Sequence, residues 1–404
     1  MRLRGDHISL DLTSILFAVL VTLPCINYYI GEIYWAFDLL NPYAEYIYAV
    51  VYVAGVIAIV KNFTSFKAVS IVVLLLLLGY SVFVTPRAVP EYTGPDFLRS
   101  PLAQFLFIFF PVFLLASDKK FDYEGALNLL SYCAAVPLVL MLVAFVFQTM
   151  IVRTGLHEYM TFAYMALPMI LVLMYYSWTS KTRVIGKVLS VLASLTVLFG
   201  GCRGALLTLI AFIALSILLF SKNRLRRIVA IIIGMFIVLN LSSILNFLGG
   251  QLNTIGVESR IFAYIETGEM GESDTRMEVY KKALSIISVY GHGIYSDRYL
   301  LEGVEDASYC HNWMLEFFVD YGWPVGGLLV LLVIYKIASI IKETSAESSQ
   351  SQKFMLYLAI SMLGVKFMLS NSYLNSFEIA LIFGWLIFLT RIKGKWKPLV
   401  TPVS

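Results

Sequence analysis

A polar stretch interrupts an otherwise apolar sequence at residues 307–327, ASYCHNWMLEFFVDYGWPVGG. It places His311 and Asn312 where a loop gives way to an apolar run, with Glu316 four residues after Asn312. The imidazole of histidine titrates near neutral pH, so His311 is a candidate general base. Residues four apart share one face of a helix, so Asn312 and Glu316 would lie on the same side. A helix cap with an interfacial histidine is the alternative interpretation.

Two arginines are candidates for binding an anion. Arg203 follows Gly-Gly-Cys at the outer end of a predicted helix, and Arg276 lies in the first turn of a predicted loop helix, with Tyr280 on the same face. The planar guanidinium suits bidentate binding of phosphate or carboxylate. Either arginine could instead pair with Glu316, whose carboxylate lies about one turn below the membrane surface. Arg203 could also snorkel to the headgroups, and acidic neighbours could neutralise Arg276.

Other polar residues have a structural interpretation beside a functional one. His292, in Gly-His-Gly at 291–293, is either a substrate contact or a turn residue where the loop helix ends. Lys366 could snorkel, or neutralise Glu316 or Asp320 from within a predicted helix. The outer-face candidates for substrate binding are Arg87, Arg99 and Arg153, whereas Arg260, Lys281, Lys282 and Arg298 are expected to be solvated loop charges. The aspartates in DYGWP and DFLRS look isolated, and nucleotide-binding and HExxH motifs are absent from the sequence.

The composition identifies the surroundings of these residues. The chain has 404 residues, of which 59% are hydrophobic and 14% are charged, against about 25% charged in a soluble domain. Apolar runs near the length of a membrane span recur throughout. The sequence therefore predicts an all-α polytopic membrane protein, one transmembrane domain over residues 1–404. Twelve spans are predicted, at 10–31, 44–61, 68–85, 101–117, 126–147, 158–178, 184–200, 203–221, 227–248, 312–341, 353–371 and 376–391.

The distribution of basic residues predicts the orientation of these spans. Most lysines and arginines fall at alternate helix ends, which places the N- and C-termini in the cytoplasm. The first apolar run lacks a small-residue cleavage site and is expected to be retained as a helix. A large outer loop is predicted at 249–311, between helices nine and ten. It contains an amphipathic helix at 274–290 with Asp274 as its N-cap. The four cysteines show no metal spacing and are expected to be small hydrophobic residues.

Three motifs in this order resemble a known family. They are GCRGALL at 201–207, an arginine that opens a loop helix before Gly-His-Gly (275–293), and His-Asn-x-x-x-Glu followed by Tyr-Gly and two further glycines (311–327). Together they resemble the O-antigen polymerase and O-antigen ligase superfamily of bacterial envelope glycosyltransferases. The likeness covers nearly the full length and implies a GT-C-like fold. The chain departs from the family at Cys202, where serine is commoner, at Tyr280, where tryptophan is common, and in glycines spaced one residue wider after Gly322.

The resemblance implies a reaction and a location. The donor would be a glycan on undecaprenyl pyrophosphate at the periplasmic face of the bacterial inner membrane, with membrane lipids around it. Arg203 and Arg276 would bind the pyrophosphate, and His311 would take the proton of the acceptor hydroxyl with help from Glu316. The transfer would invert the anomeric carbon and need no metal or other cofactor. A chain-length regulator is a further partner that the family allows, and no nucleic acid is expected.

Three functions remain open at this point. An O-antigen polymerase would extend another lipid-linked repeat unit, and an O-antigen ligase would transfer the glycan to lipid A-core. The 28 phenylalanines and 25 tyrosines favour the polymerase, because such richness is common among polymerases. A lipid-linked oligosaccharide flippase would need charges along a path through the bilayer. The ionisable residues cluster on one face instead, which favours an enzyme.

Overall fold

Helices dominate the part of the chain that can be described. The computed structural model describes residues 2–3, 6–7, 10–61, 63–94, 96–151, 158–180, 183–200, 202–219, 225, 228, 232, 273–304 and 309–392. The helices that build the fold are α1 (Leu12–Trp35), α2 (Ala44–Val60), α3 (Ser65–Val84), α4 (Pro101–Ala116), α5 (Tyr123–Thr149), α6 (Tyr159–Thr179), α7 (Val184–Phe199), α8 (Arg203–Leu218), α9 (Ser273–Ile286), α10 (Ser296–Leu300), α11 (Trp313–Glu343), α12 (Gln350–Leu369) and α13 (Phe377–Arg391). Arg2–Leu3 and Asp6–His7 form a two-stranded antiparallel ribbon.

Eleven of the twelve predicted spans coincide with these helices. All of the ninth, 227–248, except residues 228 and 232 lies outside the described residues, as does the whole of 249–272 in the large loop. Six described helices, α1, α3, α5, α6, α11 and α12, are long and apolar enough to cross a membrane, and α2, α4, α7 and α8 are shorter apolar helices. The protein is therefore a polytopic membrane protein, while the total of twelve spans and the periplasmic side of the loop stay predictions.

Side chains at the helix starts explain several boundaries. Asp11 accepts a hydrogen bond from the Ser14 amide at 2.9 Å, which caps α1, and Asp122 caps α5 through the Gly125 amide at 3.0 Å. Such caps satisfy amide groups that have no partner within the helix. Both capping side chains lie at the ends of apolar helices. This is the expected position in a membrane protein, because water is available only near the membrane surfaces.

Small residues let the helices pack closely. Gly55 of α2 lies against the Phe107 carbonyl of α4, and Gly384 of α13 lies against Ala116, also of α4. A side chain at either glycine would collide with the neighbouring helix. Close backbone approach through small residues is the usual means of packing helices in a bilayer, where van der Waals contact replaces the hydrophobic effect.

The loop between α9 and α10 crosses a break in α11. Gly322 has φ 76° and ψ 161°, so the span predicted at 312–341 consists of two helical segments joined at a kink. The amides of His292, Gly293 and Trp323 bond the carbonyls of Val319, Asp320 and Ser288 at 3.0, 2.9 and 3.0 Å. The kink frees these backbone groups of α11, and the loop satisfies them.

The observed ends of α9 differ from two predictions made for this helix. The helix begins at Ser273, so Asp274 lies inside it rather than at its N-cap. It ends at Ile286, five residues before Gly291, so Gly-His-Gly is not its C-terminal cap. Both glycines of that motif have positive φ, 72° at Gly291 and 88° at Gly293. They are needed because the backbone here passes directly against α11 and α3, where a Cβ atom would collide with Asp320 or Ser81.

Replacing Gly322 by alanine is expected to destabilise this junction by at least about 1–3 kcal/mol, since its φ and ψ lie in a region that is essentially restricted to glycine. The new methyl group would also meet the Val289 carbonyl and the Gly291 amide. A lower midpoint of thermal unfolding and faster proteolysis of the loop in detergent would show the effect. Gly79→Ala is the matched control, because a Cβ at this helical glycine of α3 meets no atom within 4 Å. Equal midpoints for the two variants would contradict the proposed role of the kink.

Candidate active site

His311 lies in the turn that leads into α11. Its backbone is left-handed, with φ 53°, and its ring packs against that of Tyr309 with 4.1 Å between centroids. Asn312 is the N-cap, because its side-chain oxygen accepts hydrogen bonds from the amides of Met314 at 3.0 Å and Leu315 at 3.3 Å. The capping interpretation therefore holds for Asn312. His311 itself is half-buried at the N-terminal end of α11.

Glu316 is buried one turn below His311. Its carboxylate accepts hydrogen bonds from the Ser372 hydroxyl and, at 3.1 Å, from the Tyr373 amide. These partners replace the predicted Arg203 or Arg276, so that prediction was wrong. A carboxylate removed from water requires such donors. They come from the connection between α12 and α13.

Two more carboxylates lie close to Glu316. Asp320 accepts hydrogen bonds from the Tyr373 hydroxyl at 2.7 Å and from Ser296 at 3.3 Å. Asp297, in the short helix α10, accepts one from the Cys310 amide at 3.0 Å. All three carboxylates are completely buried. The interpretation of Asp320 as an isolated aspartate was therefore wrong. We call Asp297, Glu316 and Asp320 the carboxylate cluster.

The surroundings of Asp297 act on its carboxyl in opposite directions. Burial raises the pKa of its carboxyl, and the positive charge of Arg298 and the Cys310 amide offset only part of that rise. Arg298 was expected to be a solvated charge, but its guanidinium lies 5.1 Å from the ring centroid of Tyr295 and 6.0 Å from that of Tyr309. Its charge acts on Glu316 as well. Arg298 is thus a partly buried cation of the site.

The segment 370–373, Ser-Asn-Ser-Tyr, brings the predicted regions together. Ser370 interacts with the hydroxyls of both Tyr164 and Tyr309. The Asn371 amide donates to the Tyr309 hydroxyl at 3.3 Å, and Ser372 donates to Glu316. We call this segment the polar connector. It joins the His311 turn to α6, on which Tyr164 lies.

The predicted arginines lie on the α6 side of the polar connector. The charge of Arg276 acts on Tyr164 and on Tyr280. Arg203 is the exposed first residue of α8, directly after Cys202, whose side chain interacts with Tyr164. Gly204 has room for no side chain, because a Cβ would meet the Tyr164 hydroxyl. Tyr164 is therefore the point at which α8 and the Arg276 end of α9 approach the polar connector.

Tyr280 and Lys366 stabilise this side of the site. The Tyr280 hydroxyl donates to the Met368 carbonyl at 3.2 Å, which fastens α9 to α12. Lys366 forms a buried ion pair with Glu378 at 2.5 Å, and its Nζ atom lies 5.3 Å from the ring centroid of Tyr164. The structural interpretation of Lys366 holds, but Glu378 is its partner, not Glu316 or Asp320. Lys366 lies in a π-helical turn (Met362–Lys366), a distortion frequent near functional sites.

The remaining candidate residues lie apart from His311 or have other partners. The His292 ring is 2.7 Å from the Ile286 carbonyl at the end of α9. Arg87 is exposed and its Nη1 lies 3.4 Å from the Tyr299 hydroxyl, which raises the pKa of the guanidinium. Arg99 is an exposed arginine within 3.6 Å of Glu45 and 3.5 Å of Asp96. Arg153 and Arg260 lie outside the described residues. Lys281 and Lys282 are exposed, as expected, and all four cysteines are free thiols.

Several residues of this site were not predicted as site residues from the sequence. They are Tyr164, Asp297, Arg298, Tyr309 and the polar connector. One signal was available: SNSYLNS at 370–376 is a run of serines and asparagines between two apolar helices. Polar side chains at the end of a span are exposed to headgroups unless they contact other protein groups. No comparable signal marked Asp297, since a single aspartate in a long loop is ordinarily solvated.

Comparison with protein families gives a match to the central part of the chain. Residues 188–332 match the family model described as O-antigen ligase. This stretch is less than half of the chain, but it contains Arg203, Arg276, His311 and the whole carboxylate cluster. The searches of curated proteins and of solved structures gave no match. The resemblance of this chain to the O-antigen polymerase and O-antigen ligase superfamily is thereby confirmed.

Proposed function

We propose that the protein is an O-antigen polymerase of the bacterial inner membrane. It transfers a glycan from undecaprenyl pyrophosphate to a hydroxyl of another lipid-linked repeat unit, at the periplasmic face. The observation that carries the proposal is the polar connector. Through Tyr309 and Glu316 it reaches the His311 turn, and through Tyr164 it reaches the Arg203 and Arg276 side. A general base and two anion-binding residues are the groups that such a transfer requires.

The reaction is a single displacement. His311 accepts the proton of the acceptor hydroxyl while the hydroxyl oxygen forms a bond to the anomeric carbon of the donor. The bond between that carbon and the pyrophosphate oxygen breaks on the opposite side, so the configuration inverts. Undecaprenyl pyrophosphate leaves with the bonding electrons. Arg203 and Arg276 stabilise the negative charge that develops on it.

Glu316 and Asn312 act on His311 from below. Asn312 fixes the start of α11 as its N-cap, and Glu316 ties α11 to the polar connector. Together they hold the turn that presents the imidazole. The donor already carries its leaving group, so the mechanism requires neither nucleotide hydrolysis nor a metal ion.

An O-antigen ligase is the second candidate, because the matched family model carries that description. The two enzymes use one donor and the same proton transfer, and they differ in the acceptor. The abundance of phenylalanine and tyrosine supports the polymerase.

One assay separates these functions. Purified protein in nanodiscs is mixed with a lipid-linked repeat unit, and the products are resolved by size. We expect a ladder of longer lipid-linked glycans without any other acceptor. Transfer only after lipid A-core is added would show a ligase and reject the polymerase. In a parallel experiment with vesicles that contain the protein, movement of the repeat unit between the two leaflets without covalent change would indicate a flippase and reject both enzymes.

A further inference from the structure

Asp297 is a buried carboxylate to which the proposed reaction assigns no role. It lies in α10, is inaccessible to solvent, and accepts a hydrogen bond from the Cys310 amide at 3.0 Å through Oδ2. Within the described part of the chain, Oδ1 has no hydrogen-bond partner. Burying an acid with an oxygen that lacks a hydrogen-bond partner costs free energy. The group to which Asp297 is hydrogen-bonded is therefore the place to look for its role.

The group that Asp297 holds is the Tyr309–Cys310 peptide, one residue before His311. Cys310 is completely buried, and its amide is fixed by Asp297. His311 follows with φ 53°, a conformation that costs free energy for a residue other than glycine and persists only where its surroundings impose it. Strained backbone of this kind is concentrated at functional sites.

Contacts on both sides of the His311 turn complete this constraint. After His311 in the chain, Asn312 caps α11 through two amides. Before it, Tyr309 packs on the His311 ring with 4.1 Å between ring centroids and accepts a hydrogen bond from the Asn371 amide. The Asp297 bond fixes the peptide between these two contacts.

Asp297 also joins the turn to the rest of the carboxylate cluster. Its neighbour Ser296 donates to Asp320 at 3.3 Å, so α10 is attached to α11 at one residue and to the His311 turn at the next. The negative charge of an ionised Asp297 would act on both Glu316 and Asp320. Because the bond to the Cys310 amide needs only an oxygen acceptor, a neutral side chain with a carbonyl oxygen at this position can make it as well.

We propose that Asp297 is a positioning residue for His311, acting through the Cys310 peptide. This inference rests on the proposed function only in naming His311 as the base. Asp297 touches no substrate in this role. Its Oδ2 atom, as the partner of the Cys310 amide, fixes the angle at which the imidazole meets the acceptor hydroxyl, and an uncharged oxygen in its place is expected to do the same.

Two substitutions separate the acceptor oxygen from the charge. Asp297→Asn retains a side-chain carbonyl that can accept from the Cys310 amide, whereas Asp297→Ala removes it. We expect Asp297→Ala to lower kcat by roughly a hundredfold, as small misplacements of catalytic groups do, with KM for the lipid-linked repeat unit within about twofold. Asp297→Asn should retain kcat within about threefold. Glu302→Ala, an exposed acid in the same loop, is the matched control and should behave as the parent.

A second measurement does not depend on activity. Hydrogen–deuterium exchange, read by mass spectrometry on the peptide that contains residues 309–316, should accelerate in Asp297→Ala and remain at the parent rate in Asp297→Asn and Glu302→Ala. If the parent protein transfers no glycan while this exchange pattern is found, the proposed function fails and the positioning contact stands. Parent-like exchange and kcat in Asp297→Ala would overturn the inference. Equal loss of kcat in Asp297→Ala and Asp297→Asn would overturn it too, by showing that the charge is what matters.

Discussion

Replacing His311 by asparagine is expected to lower the rate of glycosyl transfer by roughly 10²–10⁴-fold, the usual contribution of a general base. Asparagine is the informative choice because the backbone here is left-handed, with φ 53°, and asparagine tolerates that conformation better than alanine does. It keeps a polar side chain but takes up no proton near neutral pH. The measurement is the single-turnover rate in nanodiscs with saturating lipid-linked repeat unit.

A chemical rescue distinguishes lost chemistry from lost structure. His311→Gly also fits the positive φ without strain and leaves a space beside Tyr309. Imidazole added to the assay should restore part of the transfer in this variant and none in His311→Asn, whose side chain fills the space. Immunoblots should show equal amounts of all three proteins in the membrane. A His311→Asn rate within about threefold of the parent would remove His311 from the role of base.

The positions of the helices could be predicted because the signal for a span is local. The predicted spans 158–178 and 184–200 correspond to α6 (Tyr159–Thr179) and α7 (Val184–Phe199). A run of apolar residues of the right length, ended by polar or basic residues, needs no knowledge of the rest of the fold. The kink at Gly322 could not be predicted in this way. It depends on a loop some thirty residues earlier in the chain, whose amides and carbonyls bond those that the kink exposes.

The site shows the same division. Asn312 stands at a junction of loop and apolar run, and its capping role was one of two interpretations that the local sequence offered. The partners of Glu316 and Lys366 were assigned wrongly. A charge within a membrane needs a partner, but periodicity does not say which one. Ser372 lies 56 residues from Glu316 along the chain, and only the packing of α11 against the α12–α13 connection brings them together. Arg298 was misjudged for the same reason, since two tyrosine rings cover it only after folding.

Replacing Arg276 by alanine is expected to lower kcat by about 10²–10³-fold, which corresponds to about 2.7–4 kcal/mol and is typical when one stabilising donor is removed from a developing charge. Arg203→Ala should have an effect of the same order, because both guanidinium groups are assigned to the pyrophosphate leaving group. The charge of Arg276 acts on Tyr164, and Arg203 follows Cys202, which contacts that same tyrosine. The two arginines therefore approach one region of the site from different helices.

Charge-matched controls on one helix decide between specific binding and general attraction of an anionic lipid. Lys281 and Lys282 lie on α9 with Arg276 and are exposed, so Lys281→Ala and Lys282→Ala remove the same charge and should keep transfer within about threefold. Arg276→Lys should recover only part of the loss, because an ammonium group cannot reproduce the bidentate geometry of a guanidinium. Binding of undecaprenyl pyrophosphate, measured in nanodiscs, should weaken in Arg276→Ala and Arg203→Ala alone. If instead all four alanine variants lost activity equally, and the difference from the parent vanished at high ionic strength, the arginines would act through long-range attraction. Near-normal polymer from Arg276→Ala, Arg203→Ala and His311→Asn together would reject the assignment of this site.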